Sequence, residues 1–233
     1  MSHESFTNIF DAAEKGTVDD VKHFVEEQGV DVNTKHKDGW TPLHAAASHN
    51  GNVEVVKFLV SKGAAINAKD ETDATPLLWA AFKNENVDVI KFFVSQGADV
   101  NVKNQRGYTP LLWAAQNNKN IEVIKFLLSK GAEVNVKDDW PPFHRAAFGN
   151  ENVDVVKFFV SQGADVKAKG AFDATPLHWA AQNKNVEVAQ FLVSQGADIH
   201  AKNKYGKTPL DLATEAKNMT VVQYLVGIGA SRG

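Results

Sequence analysis

Three histidines, His44, His144 and His178, stand at one position of a recurring phrase, and imidazoles at a fixed beat are the first candidates for holding a metal or moving a proton. A metal would need them to converge on one point. They sit on different copies of the phrase, and Leu78 and Leu112 take the same position in two others, which weakens ligation. The acid pairs Asp19-Asp20 and Asp138-Asp139 have the right side chains for general acid–base work. Nothing apolar and enclosed is predicted beside them to raise a pKa, so solvated faces are the default. There is no His-Glu-x-x-His, no phosphate loop and no nucleophile elbow; the stretch from Gly227 to Gly233 is glycine-rich but follows no strand and opens no helix. The chain has no cysteine, which excludes disulfides and thiolate metal sites. No metal, no cofactor and no catalytic activity are expected.

The elements that carry these residues repeat. Thr41-Pro42-Leu43-His44 returns as Thr75-Pro76-Leu77-Leu78, Thr109-Pro110-Leu111-Leu112, Pro141-Pro142-Phe143-His144, Thr175-Pro176-Leu177-His178 and Thr208-Pro209-Leu210-Asp211, with the prolines 34, 34, 32, 34 and 33 residues apart. Proline in a first helical turn forfeits no intrahelical hydrogen bond and brings a preset φ, so each phrase opens a short helix. Gly63, Gly97, Gly131, Gly163, Gly196 and Gly229, with a variant at Gly29, follow apolar runs and read as left-handed C-caps. Between these marks, Asn52, Asn86, Asn120, Asn152 and Asn185 each precede a Val-acid-Val segment, with Ile121 for the first valine after Asn120, so each caps a second helix. Stretches such as Asn104-Gln105-Arg106-Gly107 have the residue types of a tight turn.

A helix pair and a turn in about 33 residues, carrying Thr-Pro-Leu-His-x-Ala, resembles the ankyrin repeat family over nearly the whole chain. The resemblance implies an all-α solenoid of stacked helix-turn-helix units with β-turn or hairpin fingers. It implies one domain over 1–233, with an N-terminal capping repeat at 5–34, five internal repeats at 35–204 and a C-terminal capping repeat at 205–233. It also implies that the motif imidazole braces its turn by hydrogen bonds. Two departures stand out: an extra residue between the helices, as in Ser48-His49-Asn50-Gly51-Asn52, and a finger compressed to Asp138-Asp139-Trp140-Pro141-Pro142, expected to be short and stiff. The Val-Asn repeats resemble ankyrin proteins of intracellular bacteria and their arthropod hosts, which implies possible delivery into a host cell.

Composition is that of a soluble folded chain, 43% hydrophobic and 23% charged. A net charge of −3 gives no field to gather nucleic acid or an anionic membrane. No signal segment opens the sequence and no apolar run approaches a bilayer span, so a cytoplasmic monomer is expected. Asn218-Met219-Thr220 reads as an ordinary surface triplet despite matching a glycan acceptor. Lys57, Lys91, Lys125 and Lys157 each follow an acid by three positions, which predicts a mixed-charge outer surface.

Function then falls to positions the stack leaves free, and in the family the fingers and first helices line a concave surface that meets partners. The slot before Thr-Pro holds Trp40, Ala74, Tyr108, Trp140, Ala174 and Lys207. The slot after Ala-Ala holds Ala47, Phe82, Gln116, Phe148 and Gln182, and finger positions add Arg106 and Phe172. Trp79, Trp113 and Trp179, just before Ala-Ala, are divided between core and interface. Aromatic and arginine side chains in exposed slots are the types enriched at binding hot spots. The expected function is non-catalytic binding of another protein, with Gln116, Gln182 and Asn183 toward the rim. The rival is a targeting domain of a larger effector, toxin or enzyme whose catalytic part lies outside this chain.

Overall fold

The computed structural model describes residues 6–134 and 140–233, and among them are fourteen α-helices and no strand. The helices fall into seven pairs. The first members are α1 (Ile9–Lys15), α3 (Pro42–His49), α5 (Pro76–Lys83), α7 (Pro110–Asn117), α9 (Pro142–Gly149), α11 (Pro176–Ala180) and α13 (Pro209–Glu215). Their partners are α2 (Val18–Lys22), α4 (Val53–Ser61), α6 (Val87–Ser95), α8 (Ile121–Ser129), α10 (Val153–Ser161), α12 (Val186–Ser194) and α14 (Met219–Gly227). Contacts divide the chain into two units, Met1–Ala114 with Glu122–Glu133, and Ala115–Ile121 with Val134–Gly233. No helix among the described residues is long and apolar enough to cross a membrane.

The punctuation works as its chemistry dictates. Proline opens α3, α5, α9, α11 and α13 at the first turn. Asn52, Asn86, Asn152 and Asn185 accept from the N–H two residues on, capping α4, α6, α10 and α12. Gly63 and Gly97 follow their helices at φ 90° and 85°, where a side chain would be strained. One element differs from expectation: α2 runs into a π-helical turn over His23–Glu27, closed by the Gln28 N–H donating to the His23 carbonyl. The compressed finger at Asp138-Asp139 lies outside the described residues.

In each unit the core is a strip of small and branched side chains. Ala46-Ala47 and Ala80-Ala81 are wholly buried in the first unit, as are Ala146-Ala147 and Ala180-Ala181 in the second. A methyl where a larger group might stand lets first helices approach closely. From the second helices, Val55, Val56 and Leu59 and their counterparts Val155, Val156 and Phe159 point inward. Lys57, Lys91, Lys125 and Lys157 reach Glu54, Asp88, Glu122 and Asp154 at 2.7 to 3.0 Å on the solvent side, as the spacing predicts.

A buried carboxamide closes the joint between neighbouring pairs. Asn50 Nδ2 donates to the carbonyls of Ala13 and Gly16, and Asn84 Nδ2 to those of Ala47 and Asn50. In the second unit Asn150 reaches Ala115 and Asn118, and Asn183 reaches Ala147 and Asn150, all at 2.9 to 3.0 Å. Asn183 is therefore not a rim residue: it is buried, and its donors are spent on the fold. Asn218 does the same toward Ala181 and Asn183, so its Nδ2 is engaged within the fold rather than held out as a glycan acceptor.

Imidazoles make a second joint, running the other way. His44 Nδ1 accepts from the Thr41 N–H and pairs with its hydroxyl, which leaves Nε2–H to donate to the Ala74 carbonyl of the next finger at 3.1 Å. His178 repeats this with Thr175 and the Lys207 carbonyl. His144 departs because Pro141 stands where threonine would: Nε2 meets the Ala168 carbonyl, but Nδ1 is buried with no hydrogen-bond partner. Asp211 takes the histidine's place in α13, accepting from the Thr208 N–H and hydroxyl and from the Gly233 N–H.

Two outcomes follow from these joints. Asn84→Ala strands two buried carbonyls and should lower stability by about 3 kcal/mol in urea titration; an unchanged midpoint would show the clamp to be dispensable. Burial, the largest effect, holds His44, His144 and His178 below the ordinary imidazole value of 6.5, with carbonyl hydrogen bonds opposing it. Such a group takes its proton in the unfolded chain first. Stability is therefore full above the ordinary value and declines as pH falls through it toward the lower folded value. Replacing His44 by leucine, as at positions 78 and 112, should remove up to one proton from that slope, about 1.4 kcal/mol per pH unit, read from urea midpoints between about pH 7.5 and 5.

Candidate functional site

Within the first unit the aromatic side chains of the free slots form one continuous cluster. Trp40 meets Trp79 edge to face with ring centroids 4.9 Å apart, and Trp79 meets Trp113 at 5.1 Å. Phe82 bridges Trp79 and Trp113 at 5.8 and 5.2 Å, and Tyr108 closes on Trp113 at 5.9 Å. Ala74 occupies the slot before Thr75, buried and without a ring of its own. All five aromatics are half-buried, so each keeps one face packed and another in solvent. Such geometry adds roughly 0.5–1.5 kcal/mol per ring pair beyond burial. Arg106 is exposed at its turn, and its backbone N–H is held by the Asn104 side chain.

The second unit has a smaller cluster built on the same slots. Trp140 lies 4.7 Å from Trp179 and 5.2 Å from Phe148, and Phe148 lies 6.0 Å from Trp179, with Ala174 again buried between slots. Arg145 stands where Trp79, Trp113 and Trp179 stand in their own units. Its guanidinium sits 4.7 Å from the centroid of the Trp140 ring, its Nε donates to the Trp140 carbonyl, and Nη1 reaches Gln116 Oε1 at 3.5 Å. Gln116 and Gln182 are half-buried beside these rings, and a cleft of about 370 Å³ runs between Asn117, Phe148, Glu151, Gln182 and Lys184. Phe172 is elsewhere, at a finger tip, 48% exposed and 5.9 Å from Tyr205, with Lys204 Nζ over both rings at 4.3 and 5.1 Å.

Thus Trp40, Trp79, Phe82, Tyr108 and Trp113 come together in one unit, and Trp140, Phe148, Trp179, Gln116 and Gln182 in the other. Arg106 and Phe172 join neither ring cluster. Arg145, Lys204 and Tyr205 were not picked out by sequence reasoning. Arg145 had a usable signal, since it breaks a column of tryptophans in register.

Polar support differs between the two clusters. Trp79 Nε1 donates to Asp70 Oδ2 at 2.8 Å, while Asp70 Oδ1 accepts from the Thr72 and Ala74 N–H groups and the Thr72 hydroxyl. Burial alone would raise the pKa of Asp70; the bonds from Thr72, Trp79 and Ala74 together outweigh it and hold the carboxyl below its ordinary range. In the second unit Gly170 stands in place of Asp70, and Trp179 Nε1 is buried without a partner. Gly170 has no side chain to accept from its own turn, although its carbonyl takes the Asp173 N–H, and Phe172 there adopts a left-handed φ of 61° that costs roughly 1 kcal/mol or more. No group of three or more metal-ligating side chains occurs among the described residues.

Comparison with known proteins agrees with the repeat fold. The family description "Ankyrin repeats (3 copies)" matches residues 9–104, 73–138 and 143–231, and "Ankyrin repeats (many copies)" matches 118–160. The crystal structure of the human ASB11 ankyrin repeat domain superposes with a TM-score of 0.75 at 28% identity, covering 98% of this chain and 100% of that one. Alpha-latrocrustotoxin-Lt1a of Latrodectus tredecimguttatus is 52% identical over 48 residues, 21% of this chain; the match spans 3% of the toxin's length.

The unequal support of Trp79 and Trp179 is open to a direct swap. Gly170→Asp should place an acceptor on Trp179 Nε1 and raise stability by about 1 kcal/mol, whereas Asp70→Gly should lower it by about 2 kcal/mol. Thermal melts followed by tryptophan fluorescence check both. The Asp70 contribution should be present above its ordinary pKa of 3.8 and vanish as pH falls through the lower folded value.

Proposed function

The chain belongs to the ankyrin repeat proteins, and from that premise we propose that it is a non-catalytic module that binds another protein through the fingers and first helices of each unit. Ankyrin repeats are in general protein–protein interaction modules, so the family supplies the class of function. The face is this chain's own. The observation that carries it is the half-exposure of Trp40, Trp79, Phe82, Tyr108 and Trp113 in one contiguous cluster, at positions the stack leaves free. Rings already packed against one another lose little side-chain entropy on docking, and a partner gains the remaining apolar face.

Binding then has an apolar centre and a polar margin. In the first unit Arg106 stands outside the rings with its guanidinium free to meet a carboxylate or a carbonyl, and Lys83 lies 5.6 Å over Phe82. In the second unit Trp140, Phe148 and Trp179 supply the apolar part, Gln116 and Gln182 the amides, and Phe172 a separate contact at a finger tip. The 48-residue likeness to a toxin covers too little of either chain to carry an activity across.

Single truncations separate this role from stability. Phe82→Ala, Tyr108→Ala and Arg106→Ala should each weaken capture of the partner about tenfold or more while the melting temperature moves by only a few degrees. Trp40→Ala removes packing against Trp79 as well and should lower both. The test is a quantitative pull-down with each variant beside the wild type. Loss of fold with every truncation, or full binding by all three, would overturn the reading.

A further inference from the structure

The third residue after each helix-opening proline is Ala45, Trp79, Trp113, Arg145, Trp179 or Leu212, and Ala45 is the smallest of them. Around Arg145 this slot forms a seat for a guanidinium. The group lies 4.7 Å from the centroid of the Trp140 ring, and Nη1 reaches Gln116 Oε1 of the preceding repeat at 3.5 Å.

Trp140 and Gln116 both have counterparts around Ala45. Trp40 precedes Thr41 as Trp140 precedes Pro141, and Glu14 follows Ala12-Ala13 as Gln116 follows Ala114-Ala115. The carboxamide clamps give the same alignment, since Asn50 reaches the Ala13 carbonyl as Asn150 reaches that of Ala115. Only the arginine is replaced, by a side chain that ends at its first carbon.

A cleft of about 310 Å³ stands there, lined by Phe10, Glu14, His36, Asp38, Trp40 and Ala45. That volume is at the foot of the range for ligand pockets, so it suits one side chain better than a cofactor. Where Gln116 offers a neutral amide, Glu14 and Asp38 offer carboxylates. Rings and carboxylates together favour a cation, and a planar guanidinium stacks on the first and forks onto the second. Glu14 Oε1 lies 3.2 Å from His49 Nδ1 and Oε2 3.6 Å from Lys15 Nζ, while Asp38 Oδ2 lies 3.6 Å from His36 Nδ1. Burial, and then the neighbouring Lys83, hold His49 below the ordinary imidazole value, so at neutral pH it does not neutralise Glu14. Lys15 is 65% exposed, and a surface pair of that kind gives way at little cost.

We infer that this cleft receives an arginine side chain of the protein partner, stacked on Trp40 and paired with Glu14 and Asp38, in the seat that Arg145 fills for the second unit. An arginine from another chain lacks the tether that Arg145 has, and the carboxylates supply the extra attraction. This rests on the protein-binding reading of the face, and it names a side chain that the partner must bring.

Blocked arginine, as N-acetyl-arginine methylamide, tests the cleft without the partner when titrated into the full chain and followed by NMR. The Trp40 indole and Ala45 methyl signals should move saturably, with roughly millimolar affinity. Blocked citrulline keeps the shape without the charge, and blocked lysine the charge without the planar fork; each should bind about fivefold or more weakly. Glu14→Gln should cost a similar factor with the fold unchanged. Ala45→Arg should fill the seat from within, silencing the probe without lowering the melting temperature. No saturable shift up to about 100 mM, an equal response to citrulline or lysine, or an Ala45→Arg chain that unfolds or still binds would each overturn the assignment. Partner capture separates this seat from the wider face. Full capture by Phe82→Ala, Tyr108→Ala and Arg106→Ala beside a responsive cleft overturns the wider reading and keeps the seat; lost capture beside an unresponsive cleft does the reverse.

Discussion

One carboxamide, repeated at Asn50, Asn84, Asn150, Asn183 and Asn218, sets the spacing of successive helix pairs within each unit. Asn84 shows why no other side chain serves. Both its N–H donors go to carbonyls at the end of the preceding first helix, and its oxygen accepts from the Asn86 N–H. Asn86 in turn caps α6 by accepting from the Asp88 N–H. Helix end, neighbouring pair and start of the second helix are thus tied through a single buried group. Aspartate would lack the donors and bury a charge, and glutamine would carry the amide a methylene too far. These joints fix where each pair sits, and the aromatic clusters stand beside them, on the fingers and the half-exposed sides of the first helices.

The second joint tolerates variation, which marks it as subordinate. Leu78 replaces the imidazole in α5 and leaves the Thr75 hydroxyl buried without a partner, while the Thr109 hydroxyl turns to accept from the Leu112 N–H. Pro141 removes the other half of the pair and strands His144 Nδ1. Each loss leaves a helix of ordinary length in place. A bond whose partners change from unit to unit adjusts stability and pH response; it does not define the repeat.

Much of the fold was legible in the sequence because its punctuation has local causes. Proline at a first turn, asparagine before Val-acid-Val and glycine after an apolar run each owe their position to the conformation of one or two residues. The clamp was not legible. Asn50 lies in a polar stretch, Ser48-His49-Asn50-Gly51-Asn52, where it reads as one turn residue among several, and its partners lie 34 and 37 residues away. The same blindness put Asn183 on the rim. In the candidate site the residue types and their shared register were readable, but the partition between packed and exposed faces was not, since Trp40 and Trp79 are distant in sequence and Asp70 gives no hint that it holds an indole.

The two joints also have opposite polarity, the carboxamide donating toward the preceding pair and the imidazole toward the following finger. A repeat that holds both residues, such as the one with His44 and Asn50, therefore brings a connector for either neighbour within its own thirty-odd residues. A gene segment of that length, duplicated in tandem, would encode a copy that already fits both the parent before it and the parent after it. Lengthening such an array by copying requires no compensating change elsewhere, and variation can then accumulate in the ring-bearing slots that the joints leave alone.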